Sequence, residues 1–425
     1  MTRTQPIPIP RADPFDTAWR FCGRGDKEVV CVSQDVSVAE ALELFSRTLL
    51  SMILITLKIM NDVAWPKNEL ALFRRQLLAW FRQNARDLPW RRTRDPYRVW
   101  VSEVMLQQTR VATVVERYMQ FVVQYPSLIS LALAREEDVL ALWSGLGYYK
   151  RARLLHGAAQ LLVNQHGGSL PKSSIELRRL PGVGDYTAAA IASIAYGEPV
   201  AVVDGNVERV VTRLLGMGTA TSRHSITRLR EAAGRLLDPA SPGTFNQAMM
   251  ELGATICLPQ GPRCAACPVL SSCCTRGEHA PRPRKEMVSR KANYALIRRP
   301  LEAGVNRVAV LLVKRPATAS QMPGMWELPV LPGAEEREDE PVLRIRHSIT
   351  NTNYYVAVFA LEEKPALDVK ASSVVDERDW VPDRKLNEIP LTGLARKILM
   401  RLDVLAKPTQ IRQGKVLPGA ERGFL

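Results

Sequence analysis

Four cysteines stand close together past the middle of the chain, in the spacing C-x6-C-x2-C-x5-C. They are Cys257, Cys264, Cys267 and Cys273. Each interval is a short loop that returns the next sulfur to the same small volume, so the four thiolates can surround one inorganic cube. Zinc also takes four thiolates, but usually as two C-x2-4-C pairs separated by a longer span. The spacing therefore favours a [4Fe–4S] cluster over zinc or disulfides, and leaves open whether the cluster is structural or redox-active.

Composition indicates more than one domain and a polyanionic partner. At 425 residues, 46% of them hydrophobic, the chain exceeds the size of a single hydrophobic core. Its 58 Lys and Arg against 43 Asp and Glu give a net charge of +15, which favours binding to phosphates through counterion release. The other cysteines, Cys22, Cys31 and Cys274, form no disulfide framework, so we expect a reducing compartment, by default the cytoplasm.

One apolar segment, Leu49–Leu57, is a candidate membrane anchor. It is too short to span a bilayer, lies too far along the chain for a usual signal peptide, and runs directly into Lys58. We therefore expect a core or interfacial helix in this segment, and no membrane association.

Patterning divides the chain into five parts. We predict an N-terminal extension of unknown role over residues 1–64 and a loose tail over 406–425. Apolar positions recur at helical spacing within 65–276, which predicts a mainly α-helical domain. A basic linker rich in Pro and Arg follows at 277–291. Short β-like stretches and a terminal helix then predict a smaller α+β domain over 292–405.

The segment LPGVGDYTAAAIASIAYG, from Leu180 to Gly197, predicts a tight glycine turn between two helices. Gly182 and Gly184 permit positive φ and close approach, so the turn and the next helix N-terminus can offer backbone N–H groups to a phosphate. A lone G-x-G is a weak signal and usually marks only a turn. Its framing here resembles the helix-hairpin-helix of DNA repair glycosylases.

Two carboxylates stand where a fold can bury and aim them. Glu103 lies in an apolar helical segment, and burial there would raise its pKa, as a general acid requires. Taken alone it could equally face solvent. Asp204 follows an apolar run and precedes a helix, so it is either an aimed carboxylate or simply an N-cap.

These features follow one another in a recognisable order: Glu103, the motif QQT at 107–109, the loop SGLGYYKRAR, the glycine turn, Asp204 and the cysteines. The order resembles the endonuclease III superfamily, and within it the MutY-type adenine DNA glycosylases, densely over residues 66–276 and thinly over 292–405. The resemblance implies a mainly α catalytic domain with a helix-hairpin-helix and a [4Fe–4S] cluster. It also implies a base excision repair enzyme that flips and removes adenine mispaired with 8-oxoguanine or guanine.

The resemblance assigns four catalytic residues. It makes Glu103 the acid that protonates adenine and Asp204 the carboxylate that stabilises, or transiently bonds to, the sugar cation. Asn206 would position the attacking water, and Tyr186 would lie against the sugar. Bifunctional relatives are expected to carry a Schiff-base lysine at the Tyr186 position, and a phenol cannot form an imine, so we expect a monofunctional enzyme.

The resemblance also assigns residues that touch DNA. The target nucleotide has to be extruded from the duplex and the gap filled. The residues assigned to the base pocket are Trp90, Arg91 and Gln247. Those assigned to the wedge and its flanks are Gln108, Thr109, Leu146 and Tyr148. Gly182 and Gly184 are assigned to phosphate binding.

The C-terminal part resembles a Nudix-like domain that recognises 8-oxoguanine, through VAVLLVKRP, GMWELP and PLTGLARKIL. It lacks the acidic Nudix helix, so we expect no nucleoside-diphosphate hydrolysis and no magnesium site. The family's Phe-Ser-His loop is replaced here by Ile349, Thr350 and Asn351. Thr350 retains a hydroxyl that could approach the modified base.

Two alternatives stay open. One is an endonuclease III-like bifunctional glycosylase and lyase acting on damaged pyrimidines, which Tyr186 disfavours. The other is a non-catalytic, cluster-bearing DNA-binding protein, which would not need both Glu103 and Asp204. The expected partner is double-stranded DNA with A:8-oxoguanine or A:G mispairs, bound by a monomer in the cytoplasm and associated with the nucleoid.

Overall fold

The computed structural model describes residues 65–165, 167–217, 223–277, 286–301, 307–331, 339–362 and 377–405. The predicted N-terminal extension with its apolar segment Leu49–Leu57, the predicted tail and most of the predicted basic linker lie outside these residues. Described residues from Trp65 onward belong to one unit.

The helical region runs from residue 65 to 277, and apolar residues at helical spacing bury one side of each long helix. Its helices are α1 (Lys67–Asn84), α2 (Pro96–Leu106), α3 (Val111–Gln124), α4 (Leu128–Ala132), α5 (Glu136–Leu142), α6 (Lys150–Gln165), α7 (Ser174–Leu177), α8 (Asp185–Tyr196), α9 (Gly205–Leu214), α10 (Arg223–Leu236) and α11 (Pro242–Thr255). Within the described ranges we find no helix whose length and apolar character would let it span a lipid bilayer.

Two hydrophobic cores divide the helical region. The first core packs helices α2 to α8 around fully buried Trp100 and Trp143. The second packs α1 against α9, α10 and α11, around Phe73 and Phe245. Helix α2 therefore belongs to the first core and helix α9 to the second, so the side chains that they present meet between the two.

The C-terminal region is an α/β domain. Its strands are β1 (Val288–Pro300), β2 (Val308–Lys314), β3 (Trp326–Glu327), β4 (Leu343–Ile349), β5 (Thr352–Leu361) and β6 (Arg378–Pro382), followed by helix α12 (Gly393–Arg401). The six-stranded sheet has the order β3-β2-β1-β5-β4, with β6 paired to β2. Ile398 and Leu399 of α12 pack into its core with Val310 and Val358.

Strand β1 starts earlier than the sequence pattern predicts. It begins at Val288, inside the predicted linker, because its first residues pair in parallel with β5 from Thr352 onward. Residues 288–291 are polar and largely exposed, so they carry little of the apolar alternation by which a strand is recognised.

The helical and C-terminal regions contact each other through buried polar groups. The Tyr149 hydroxyl donates to the carbonyl of Leu391 at 2.9 Å. Arg396, which is buried, donates to the Ser144 hydroxyl at 3.3 Å and to Asn387 at 2.9 Å. Because buried polar groups are costly unless they are paired, these bonds define one preferred docking of the two regions.

Candidate active site

A cavity of about 190 Å³ lies where the two helical cores meet. Its size suits one flat ring system better than a large ligand. The predicted site residues that line it are Trp90, Arg91, Glu103, Thr109, Tyr186, Asp204, Asn206 and Gln247. The structure thus gathers both predicted carboxylates and all three predicted pocket residues around one space.

Glu103 is a buried carboxyl on helix α2. Its residue is only 4% exposed, and loss of water raises its pKa to about 7. The Tyr186 hydroxyl donates a hydrogen bond to Glu103 Oε2 and opposes this rise, while the charge of Asp204 adds to it. Glu103 is therefore poised to hold and release a proton near neutral pH.

Asp204 is the N-cap of helix α9. Its Oδ1 accepts from the backbone N–H groups of Asn206 at 2.9 Å and Val207 at 2.7 Å. Its Oδ2 accepts from the Asn206 side-chain amide at 2.9 Å. The two interpretations of Asp204 are thus compatible, since the capping bonds fix the carboxylate that faces the cavity.

Arg209 stabilises this turn through hydrogen bonds. Its Nη2 donates to Asn206 Oδ1 at 3.0 Å and to the carbonyl of Gly253 at 2.6 Å, and its Nε donates to the carbonyl of Cys257 at 2.7 Å. Gly253 lets helices α9 and α11 approach, because a Cβ there would lie 2.7 Å from Asn206 Cβ. The orientation of Asn206 therefore depends on a close helix contact.

Glu251 is a cavity residue that sequence reasoning misses. Its side chain is fully buried and accepts two bonds from the Arg86 guanidinium, at 2.7 and 2.8 Å, and one from Arg91 at 2.8 Å. Burial alone would raise its pKa, but these bonds outweigh burial and lower the pKa to about 2. The cavity thus combines one ionised carboxylate with a second, Glu103, that can be protonated. Glu251 could have been predicted from its position one helical turn after Gln247, because residues four apart lie on the same face of a helix.

Gln108 and Tyr148 lie outside the cavity lining, on two exposed turns. Both have positive φ, 56° and 49°, which is uncommon for residues other than glycine. Tyr148 is 48% exposed, as the wedge prediction requires. Leu146 differs, because its side chain is buried in the first core.

The predicted glycine turn joins helices α7 and α8. Gly182 has φ of 77°, and a Cβ there would lie 2.7 Å from Leu154 Cβ, so no other residue fits. Gly184 does not use the positive φ that glycine permits, and instead caps α8 with φ of −89°, as N-caps normally do. No atom lies within 4 Å of the position that a Cβ at Gly184 would occupy, so the approach to the helix N-terminus is open.

Residues 101–235, which contain this hairpin and both carboxylates, match the family described as HhH-GPD superfamily base excision DNA repair protein. This segment therefore resembles an HhH-GPD domain.

The segment that matches the HhH-GPD family and its flanks are similar to curated adenine DNA glycosylases. The human protein of that name is 50% identical over 226 residues, which cover 51% of this chain and 41% of the human chain. The Arabidopsis thaliana protein is 41% identical over 237 residues, covering 49% of this chain and 37% of its own. The chain thus spans about two fifths of the length of these relatives. Among solved structures, a thermostable thymine-DNA glycosylase is 30% identical, covers 49% of this chain and 97% of its own, and has a TM-score of 0.46.

The four spaced cysteines follow the segment that matches the HhH-GPD family. Burial, with a smaller contribution from the nearby thiols of Cys257, Cys273 and Cys264, raises the pKa of the Cys267 thiol to about 11. Arg213 of α9 donates to Cys257 Sγ at 3.3 Å. Among the residues that the structure describes, however, no group of three or more His, Cys, Asp or Glu is arranged so that it could hold a metal ion.

Thr350 lies in the C-terminal region, in the turn between β4 and β5. Ile349 pairs with Thr352, so Thr350 and Asn351 form a two-residue hairpin loop. Both are exposed, and Thr350 has φ of 52°. Thr350 is not among the residues that line the cavity.

Proposed function

We propose that the protein is an adenine DNA glycosylase that hydrolyses the N-glycosidic bond of adenine after extruding the nucleotide from duplex DNA. The observation that carries the proposal is the pair of Glu103 and Asp204 in one small cavity, with the pKa of Glu103 raised to about 7. The match to adenine DNA glycosylases supports the choice of base.

The chemistry divides between the two carboxyls. Adenine is a poor leaving group, so protonation of a ring nitrogen by Glu103 assists departure of the base. The sugar becomes cationic as the bond breaks, and the ionised Asp204 stabilises it in a site that excludes most water. Asn206, held at Asp204 Oδ2, is placed to orient the water that completes hydrolysis.

The cavity walls supply recognition of the base. Trp90 is buried against Tyr118 with ring centroids 5.3 Å apart, which makes it a rigid wall. Arg91 and Glu251 place a donor group and an acceptor group side by side, suited to the polar edge of a purine. Because Tyr186 offers no amine, base release would proceed without strand cleavage.

The proposed substrate is double-stranded DNA with adenine opposite 8-oxoguanine or guanine. The net charge of +15 and the open N-terminus of α8 at Gly184 support a phosphate-binding surface. The C-terminal region, a mixed sheet with a packed helix, would act as a Nudix-like lesion reader. Its exposed Thr350 and Asn351 are the residues proposed to contact the opposite base.

A [4Fe–4S] cluster is the cofactor we propose, held by Cys257, Cys264, Cys267 and Cys273. The C-x6-C-x2-C-x5-C spacing and the electrostatic influence of the other three thiols on Cys267 support this proposal, and the bond from Arg213 would offset the charge of a bound anionic group. Arg209 connects this cysteine segment to the Asp204–Asn206 turn, because it donates both to the carbonyl of Cys257 and to Asn206 Oδ1. The group would thus brace the end of helix α11, while the carboxyls perform the chemistry.

The test is base release by the purified chain and by Glu103→Gln. Duplexes with A opposite 8-oxoguanine, A opposite G, and thymine glycol opposite A are incubated with excess enzyme and analysed with and without alkali. We expect alkali-dependent cleavage at adenine only, and at least about a hundredfold loss in Glu103→Gln with binding retained. Glu69→Gln, the same change at an exposed position of helix α1, is the matched control. Release of thymine glycol instead of adenine, or an active Glu103→Gln, would refute the proposal.

A further inference from the structure

Arg151, in the first turn of helix α6, has an unusually large number of partners for one side chain. Its Nη1 lies 2.8 Å from the carbonyl of Val104 and 3.1 Å from that of Met105, and it also donates to the carbonyl of Gln107. The end of a helix leaves such carbonyls without intrahelical partners, and a cation there is favoured by the helix dipole. Arg151 therefore closes the C-terminus of α2, the helix that carries Glu103.

The other nitrogen of the same guanidinium reaches a second turn. Its Nη2 lies 3.0 Å from Thr109 Oγ1, 3.2 Å from the carbonyl of Leu146 and 3.1 Å from that of Gly147. The planar fork of arginine can satisfy two sets of acceptors at once, whereas lysine is a single point charge. One side chain thus joins the segment around Gln108 to the segment before Tyr148.

These two segments share a strained backbone conformation. Gln108 and Tyr148 are among the few residues other than glycine with positive φ in the described chain. Such conformations persist only where surrounding contacts hold them, and they concentrate at functional sites. Arg151 supplies those contacts, and its guanidinium also lies 5.4 Å from the centroid of the Tyr148 ring.

The guanidinium stays charged in this environment. Burial lowers the pKa of Arg151 to about 10, which still leaves it protonated at neutral pH. Its hydrogen bonds to main-chain carbonyls keep their charge-assisted strength throughout the pH range in which Glu103 titrates.

We infer that Arg151 is a positioning residue that holds the Gln108 turn, the Tyr148 turn and the end of helix α2 as one rigid unit. The two exposed side chains then meet the duplex together, in fixed relation to Glu103. The inference rests on the proposed function, because it assigns the two turns to nucleotide extrusion. Arg151 would fix the geometry of the two turns before DNA binds.

The mutational test separates extrusion from folding. Extrusion is followed by stopped-flow fluorescence of 2-aminopurine at the target position, for the wild type, Arg151→Lys, Tyr148→Ala and the double variant. We expect Arg151→Lys to slow extrusion about 10- to 100-fold, since small misplacements of positioned groups have effects of that size. Affinity for a duplex that already carries an abasic site should change much less. The double variant should be little slower than the slower single variant, because both act through one unit.

The matched control is Arg153→Lys, two residues further along the same helix. Arg153 contacts Glu136 and the carbonyl of Pro323 instead of either turn, so extrusion should be nearly unchanged. The inference would be overturned if Arg151→Lys reduced the extrusion rate on the target duplex and the affinity for the abasic duplex by the same factor. It would also be overturned if the effects of Arg151→Lys and Tyr148→Ala on the extrusion rate were additive.

A second measurement needs no variant and no substrate. Amide hydrogen exchange of the wild type should show residues 107–109 and 146–149 opening with one common free energy, as a cooperative unit. Independent opening of the two turns overturns the inference even if Arg151→Lys does not fold. If the wild type releases adenine from no duplex, the proposed function fails, and the exchange result still decides whether Arg151 couples the turns.

Discussion

The Tyr186 hydroxyl donates a hydrogen bond to Oε2 of Glu103. This bond favours the ionised carboxylate, whereas burial favours the neutral acid and dominates, raising the pKa of Glu103 to about 7. The phenol therefore limits how far above neutrality Glu103 can keep its proton.

Replacing Tyr186 by Phe should shift the pH dependence of base release upward. Without the hydroxyl, the pKa of Glu103 rises further, so the protonated acid persists to higher pH. The alkaline limb of the pH–rate profile should therefore move to higher pH. Single-turnover rates measured from about pH 5 to 9 give the position of the limb independently of its height. A limb that stays in place or moves to lower pH shows that Glu103 is not the group that titrates.

Asp204→Asn should separate catalysis from stability. Asparagine is as good an N-cap as aspartate, so the melting temperature should stay close to that of the wild type. The rate of base release should fall by about a hundredfold or more, because the neutral amide no longer stabilises the sugar cation. Asp204→Ala is the comparison that also removes the cap, at a cost of about 0.5–2 kcal/mol. Normal turnover by Asp204→Asn would mean that this residue is only a cap.

Gly253→Ala should slow base release although residue 253 is not among the residues that line the cavity. The added Cβ would lie 2.7 Å from Asn206 Cβ and 3.1 Å from its carbonyl oxygen, so helix α9 has to move. Gly234→Ala is the matched control, since Gly234 lies in helix α10 with no atom within 4 Å of the new Cβ. The control should gain up to about 1 kcal/mol of stability at an unchanged rate. Equal rates of base release in the two variants would mean that the position of Asn206 does not matter for catalysis.

Replacing Thr350 and Asn351 together by alanine should change selectivity and leave chemistry intact. If these exposed residues contact the opposite base, the preference for A:8-oxoguanine over A:G should fall by about 1–3 kcal/mol, the value of one good base contact. The maximal rate on A:G should not change, and it serves as the internal control. Both duplexes have to be compared in single turnover at one salt concentration, since salt alone alters DNA affinity. An unchanged ratio assigns discrimination to the helical region.

The cysteine assignment predicts which thiol can be lost. Anaerobically purified protein should hold about four irons and four sulfides per chain, as four thiolate ligands on a cube require. Cys274→Ser should retain them, because Cys274 is exposed and is not part of the proposed set. Cys273→Ser, one residue away, should lose iron. Stoichiometric zinc, or the reverse outcome for the two serine variants, contradicts the assignment.

Residues within continuous motifs are predictable from the sequence, and pairs that the fold brings together are not. Glu103 and Asp204 stand in motifs whose order along the chain identifies them. Glu251 looks like any glutamate on an amphipathic helix, because its partners Arg86 and Arg91 lie about 160 positions earlier. Leu146 shows the opposite failure, since Gly145 and Tyr148 in the same loop are exposed while the Leu146 side chain is buried in the core.

The bond from Tyr149 to the carbonyl of Leu391 has an evolutionary consequence. Its acceptor is a main-chain atom, so residue 391 can be exchanged for another apolar residue while the bond persists. An insertion or deletion before it would shift a different carbonyl into place and leave a buried hydroxyl unpaired. Tyr149 directly follows Tyr148, so such a change of length would be felt at the turn proposed to enter DNA. Lineages of this protein should therefore tolerate substitution at this junction far better than changes in loop length.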